Sequence, residues 1–351
     1  MKQITRKLIA LLLVLTTLVF LSACTTETPA VLQETTTEAP ATEATADETG
    51  EEVVTETFPE EGVFVYIGRG LSDPFCALNA YAMQDVFLEA HPGWSFIIKD
   101  ADNDAAKLIQ IIEDATAQGV DIIADGGVAG ADATSAVKDA IANGIFVYGV
   151  EVACSETEPE IAPYVCVDFY HTYKVLMDWS VDQIPENANA VVLSGIQGFE
   201  PCVERERALN EMLEQRPDIN ILAWQYANYA TDDATVIMED WLQVYDNIDA
   251  VISLTDTMAI GAIEAYHAAG IDCKDVWICG VDALLDACNY IKEGELDVSV
   301  FRPPVAYANA ELSLCERYYD GDITDQGEVV VIEPEIIVTL DNVDEIIAAQ
   351  E

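Results

Sequence analysis

The sequence predicts an α/β protein built as two doubly wound parallel-sheet lobes. Three observations carry this. From Val63 onward, short apolar runs rich in β-branched and aromatic residues alternate with longer stretches of helical pattern. Gly119 and Gly144 stand where two of those longer stretches stop. The alternation runs through the chain twice, and 351 residues are enough for two domains of ordinary size. Strand–helix–strand alternation of this kind implies parallel sheets with right-handed crossovers.

The first series opens at Val63–Ile67, a run too short for a core helix. Gly68 and Gly70 break it. Asp73 then stands before Pro74, which places a capping carboxylate ahead of a proline at the first helical position. A loop leaving a parallel strand for a helix N-terminus is where open α/β sheets bind small ligands, which makes Arg69, Asp73 and Phe75 candidates. Further strands are expected at 94–98, 121–125 and 145–150, with helices at 74–91, 103–118 and 130–143. The second series is expected as helix 170–184, strand 189–194, helix 203–216, strand 219–226 and helix 232–246. It continues with strand 249–253, helix 257–270, strand 275–281, helix 283–293 and strand 297–300. After Pro303-Pro304 come a helix to about Tyr319, a strand at 335–338 and a tail helix at 341–350. The junction of two such units is the default place for a ligand cleft.

Ahead of the first strand the composition changes. Lys2, Arg6 and Lys7 precede an apolar run, Leu8 to Leu21, which reads as a signal peptide over residues 1–23 and is too short to favour a membrane span. Leu21-Ser22-Ala23-Cys24 resembles the lipobox of bacterial lipoproteins, which implies cleavage before Cys24 and a lipid on its sulfur. Residues 25 to 61 hold eleven acidic side chains and no basic one, among Thr, Ala and Pro. Such a segment buries too little to order itself, and 24–61 is expected to be a tether. Over the whole chain 64 acidic residues face 15 basic ones, a net charge of −49. That field repels nucleic acid and anionic headgroups, so membrane attachment is expected through the lipid alone.

Eight cysteines follow Cys24, at 76, 154, 166, 202, 273, 279, 288 and 315, with no CxxC or Cys/His cluster. Several fall in apolar patterns, where Cys behaves as a small hydrophobe, so mostly buried free thiols are expected. Cys154 with Cys166 is the first pair to test for a disulfide. His91, His171 and His267 share no metal-ligand spacing. Asp100, Asp102 and Asp104 open like a calcium loop, but Ala105 and Ile111 stand where its Gly and Glu belong. Gly68-Arg69-Gly70 lacks the rest of a phosphate loop. No metal and no cofactor is expected.

Five local motifs, in order, identify the relationship: Asp73-Pro74-Phe75 after the first strand, Gln118-Gly119-Val120-Asp121, Arg205-Glu206-Arg207, Asp256-Thr257-Met258-Ala259 with Gly261-Ala262, and Gly280-Val281-Asp282. The chain from Val63 to about Thr339 resembles the ribose-type family of periplasmic sugar-binding proteins, the type I solute receptors of ABC transporters. The resemblance implies three interlobe crossings, near Asp168, Arg302-Pro303 and Glu333-Pro334. The first lobe would hold 62–167 and 303–332, the second 168–302 and 333–351, closing on ligand by a hinge. It implies a monomeric, extracytoplasmic receptor that passes a sugar-like ligand to a permease and its ATPase. The same fold also serves sensor kinases and chemoreceptors, and paired carboxylates leave a glycoside-cleaving enzyme as an alternative from another class.

Carried over by position, the ligand contacts are Arg69, Asp73, Phe75, Asp125 and Glu151 in the first lobe. In the second they are Arg205, Tyr229, Thr255, Asp256, Asp282 and Arg302. Carboxylates and guanidinium groups meet paired hydroxyls two at a time, and Phe75, Tyr229 and Trp224 are candidates to cover a sugar ring. Each polar position also has an ordinary structural role: Asp73 and Asp256 can cap helices, and Asp125 and Asp282 suit turns. Relatives often carry Asn at 73, 125 and 255. Up to five carboxylates against three arginines imply a ligand that is hydroxyl-rich and neutral or carries an amine, such as a sugar, polyol or amino sugar, and not an acid or a phosphate.

Overall fold

The computed structural model describes residues 58–129, 131–155, 157–323, 327–332 and 336–350. The expected signal peptide, the expected lipidation site Cys24 and nearly all of the expected acidic tether lie outside them.

The first sheet is six-stranded and wholly parallel, in the order β2-β1-β3-β4-β5-β11. Its strands are β1 Val63–Gly68, β2 Ser95–Asp100, β3 Ile122–Asp125, β4 Phe146–Val150, β5 Tyr164–Cys166 and β11 Val329–Val331. Strand β1 shows why the sequence folds this way. Phe64 and Tyr66 face one side, packing with Met83 and Phe87 of α1 (Pro74–Ala90) and Leu314 of α9 (Pro304–Tyr319). Val65 and Ile67 face the other, packing with Leu108 and Ile112 of α2 (Ala105–Gln118) and Val137 of α3 (Thr134–Ala142). A strand covered on both faces needs apolar residues at every position, and β1 has them.

The second sheet runs β7-β6-β8-β9, again parallel, from β6 Asn189–Ser194, β7 Asn220–Tyr226, β8 Ala250–Ser253 and β9 Trp277–Cys279. Single bridges from Cys279 to Val298 and from Asp282 to Phe301 lay β10 (Ser299–Phe301) beside it. Helices α4 (Phe169–Ser180), α5 (Glu200–Gln215), α6 (Thr231–Val244), α7 (Asp256–Ala269) and α8 (Leu285–Glu293) complete this lobe around its own core. Both sheets reverse strand order at their first strand, so each has a switch point, between β1 and β3 and between β6 and β8.

The chain crosses between the lobes three times. The first crossing joins β5 to α4 through Val167 and Asp168, whose carboxylate caps α4. The second follows β10, after which α9 packs on α1. The third lies between β11, paired with β5, and β12 (Ile336–Val338), paired antiparallel with β10. Glu333 and Pro334, the expected site of that crossing, lie outside the described residues. The tail helix α10 (Val343–Gln350) returns to α8.

The main departures from expectation are β5 and β11, which the sequence pattern does not announce. Each is three residues long; β5 pairs with β4 on one side and with β11 on the other, and β11 forms the edge of the sheet against β5. The expected helix at 130–143 starts later, at Thr134, because the described residues around it form a turn closed by the Ala131 amide on the Val128 carbonyl. All eight described cysteines, Cys154 and Cys166 included, are buried free thiols.

Candidate functional site: a cleft between the two lobes

Loops leaving the carboxyl ends of both sheets meet around one small cavity of about 20 Å³. Nine of the eleven candidates line it: Arg69, Asp73, Phe75, Glu151, Arg205, Tyr229, Thr255, Asp282 and Arg302.

On the first-lobe side, Asp73 does two things at once. Its Oδ1 accepts the Phe75 amide at 3.0 Å and caps α1, while Oδ2 accepts from Arg69 Nη2 at 2.6 Å. Arg69 is buried and also donates to Asn103 Oδ1 at 2.8 Å. Its guanidinium carbon lies 5.8 Å from the Phe199 ring centroid and 5.5 Å from that of Tyr229, so this first-lobe cation rests on second-lobe aromatic faces. Asp73 and the neighbouring charges hold Arg69 firmly protonated despite its burial.

Arg302, at the second crossing, ties the lobes together. Nη1 donates to Asp282 Oδ1 at 2.9 Å in the second lobe, and Nη2 donates to Glu151 Oε1 at 2.5 Å in the first and to the Tyr307 hydroxyl. The guanidinium carbon stacks 4.1 Å from the Phe75 centroid. Burial pushes Asp282 up to about 6, against the pull of Arg302.

The second-lobe wall is less satisfied. Arg205 is buried on α5, donates Nη1 to the Leu254 carbonyl at 3.0 Å and leaves Nε without a partner. The Tyr229 hydroxyl is buried and also unpartnered. Its ring lies where only a glycine fits, since a Cβ on Gly195 would sit 2.0 Å from Tyr229 Cζ. Thr255 shares a 2.8 Å hydroxyl contact with Thr257 at the start of α7. Three cavity residues have left-handed backbone, with φ of 68° at Glu151, 58° at Tyr229 and 112° at Asp282. Non-glycine residues held there cost free energy, and such strain gathers at ligand sites.

Two candidates stand elsewhere. Asp125 ends β3 fully buried, but it accepts the Gly127 amide at 2.9 Å and lines a neighbouring recess with Val152 and Cys154. Burial raises it to about 6. Asp256 is tucked behind the cavity, accepting from the Leu284 amide at 2.8 Å and the Ser299 hydroxyl at 2.7 Å. Burial, with Asp282 nearby, raises it to about 8, so it is largely protonated at neutral pH. Trp224 does not cover the cavity either, because it lies on β7 with Nε1 bonded to Ser194 Oγ at 2.7 Å. The charge balance expected from the sequence therefore changes. Three carboxylates, Asp73, Glu151 and Asp282, face three arginines, Arg69, Arg205 and Arg302.

Sequence reasoning missed Phe169, Phe199 and Pro201, which complete the apolar wall. A signal for the last two was present. Phe199-Glu200-Pro201 enters α5 after β6 much as Asp73-Pro74-Phe75 enters α1 after β1, with proline in the first helical turn in both.

A family profile described as periplasmic binding protein domain matches residues 64–322, and the chain belongs to that family. It is 30% identical over 259 residues to a putative rhizopine-binding protein of Rhizobium meliloti, covering 72% of this chain and 83% of that one. It is 28% identical over 212 residues to a ribose import binding protein of Bacillus subtilis, covering 60% and 67%. Among solved structures it is similar to an ABC transporter solute binding protein of Bacillus halodurans with bound myo-inositol. That match has a TM-score of 0.72 and 26% identity and covers 83% of this chain and 98% of the other. The proteins named are all binding proteins, and a glycoside-cleaving role finds no support among them.

Proposed function

We propose that the chain is an extracytoplasmic receptor that takes a small, neutral, hydroxyl-rich ligand, a sugar or polyol, between its lobes for an ABC importer. One observation carries the reading: nine side chains from the carboxyl-end loops of both lobes converge on a single cavity that is charge-balanced and walled by aromatic rings. Balanced charge removes the reason to expect a cationic ligand. Arg205 Nε and the Tyr229 hydroxyl are buried without partners, and ligand hydroxyls satisfy such groups. The ring faces of Phe75, Phe169, Phe199 and Tyr229 suit the apolar edges of a cyclic polyol. Relatives binding ribose and myo-inositol support the same class.

The site residues act by position and closure. Arg302 and Arg69 join the lobes through charge and ring contacts, so a trapped ligand adds to contacts that already favour the closed form. Cys24 is assigned as the lipidated residue that tethers the domain outside the cell membrane, with 24–61 as the leash and a permease with its ATPase as partners. Partition of the expressed protein into detergent, lost in Cys24→Ala, tests the anchor.

A thermal-shift panel of neutral sugars and polyols, amino sugars, sugar acids and sugar phosphates tests the ligand class. Stabilisation by at least one neutral compound is expected. Stabilisation by acids or phosphates alone would overturn the reading.

A further inference from the structure

At the far end of the second lobe, His267, Cys273 and Glu295 bring one nitrogen, one sulfur and one oxygen within 4.8 Å of one another. Nothing in their sequence spacing announces this. The fold creates it by placing two loops side by side at the amino ends of β9 and β10, away from the carboxyl-end cleft. Both loops are fixed. Gly270 caps α7 in the left-handed region three residues after His267, and Gly294 caps α8 in the same way just before Glu295. Cys273 is buried in a turn closed by the Val276 amide on its carbonyl. His267 Nε2 lies 2.9 Å from Glu295 Oε2, and the imidazole is partly open to solvent.

We propose that His267, Cys273 and Glu295 form a binding site for a zinc-type divalent cation, with a fourth position open to water. The donor set is the argument. Thiolate and imidazole select late first-row ions over magnesium or calcium, and three protein ligands with one open position is a familiar zinc arrangement. Around a tetrahedral ion, ligand atoms lie roughly 3.3–3.6 Å apart, so shifts of a few tenths of an ångström to about 1 Å complete the geometry. Among the described residues no other trio of such side chains gathers its ligand atoms this closely. On binding, the Cys273 thiol gives its proton to bulk water and the His267–Glu295 contact is replaced by two metal bonds. The ion would clip the loop before β9 to the loop before β10.

Cobalt(II) titration of the reduced, purified chain tests the site. One equivalent is expected to produce a thiolate-to-cobalt charge-transfer band and tetrahedral d–d absorption, both bleached by zinc and unaffected by magnesium. His267→Gln, a change at an exposed side chain, is expected to remove the tetrahedral spectrum, and Cys273→Ser the charge-transfer band. Absence of the band in the wild type, or its persistence in Cys273→Ser, would overturn the proposal. So would an unchanged spectrum in folded His267→Gln. Neither variant touches the interlobe cleft, so loss of metal leaves the sugar-binding reading intact.

Discussion

Arg302 donates to Glu151 of one lobe and to Asp282 of the other through the two ends of a single guanidinium. The arrangement converts a chain crossing into a fastening. Removing the arginine leaves the buried Asp282 and the part-buried Glu151 without this cation, and breaking a buried pair in this way typically costs about 3–5 kcal/mol. Arg302→Met is expected to lower stability by that order in denaturant titration. The double variant Arg302→Met/Asp282→Asn should recover part of the loss. A single variant as stable as wild type would show that the pair is dispensable.

Asp73 separates capping from recognition. In Asp73→Asn the amide oxygen can still accept the Phe75 amide, so α1 stays capped. The ion pair with Arg69 is lost. Because Arg69 is buried and loses its carboxylate partner, we expect a lowered melting temperature, together with a ligand affinity weaker by about tenfold or more, on the scale of a charge-assisted hydrogen bond. Calorimetric titration gives the answer, and an unaltered ligand profile would reduce Asp73 to a helix cap.

Tyr229 gives a change with opposite signs in the two states. Its buried hydroxyl has no partner, and an unmet buried polar group costs about 1–3 kcal/mol. Tyr229→Phe is therefore expected to stabilise the ligand-free protein slightly while weakening binding. If binding is unchanged, the hydroxyl does not meet the ligand.

Glu311 supplies a pH test away from the cleft. It is fully buried on α9, accepts from the Tyr148 hydroxyl at 2.7 Å and has one oxygen without a partner. Burial raises it from 4.5 to about 8. Between those values the folded state holds a proton that the unfolded state has released, so stability falls as pH rises through this window. Glu311→Gln removes that slope. Its melting temperature is expected to exceed wild type at pH 8 and above, with the difference shrinking toward zero below about pH 4.5. A difference independent of pH would show that Glu311 does not titrate in this range.

The fold was legible wherever a residue's environment is dictated by its neighbours in sequence. The Val63–Ile67 run, the Asp73-Pro74 helix entry and the glycine helix stops all act locally. Strands β5 and β11 were not legible, because each is only three residues long, and β11 is a strand only through pairing with β5, more than 150 residues earlier. The same division explains the site. Loop positions after strands were readable, but whether a carboxylate turns into the cavity or away from it was not. Asp256 turns away because the Leu284 amide and the Ser299 hydroxyl, 28 and 43 residues along the chain, hold it there. Phe169 and Phe199 look like core residues in sequence, and only closure of one lobe on the other makes them a wall.

The central claim is that the interlobe cavity holds a neutral polyhydroxylated molecule. Mass spectrometry of small molecules released on denaturing the purified protein tests it most directly. We expect a neutral sugar or polyol near one equivalent per chain, absent from protein carrying Asp282→Ala. Recovery of an acid or a phosphorylated compound, or of the same molecule in equal amount from the Asp282→Ala protein, would contradict the account.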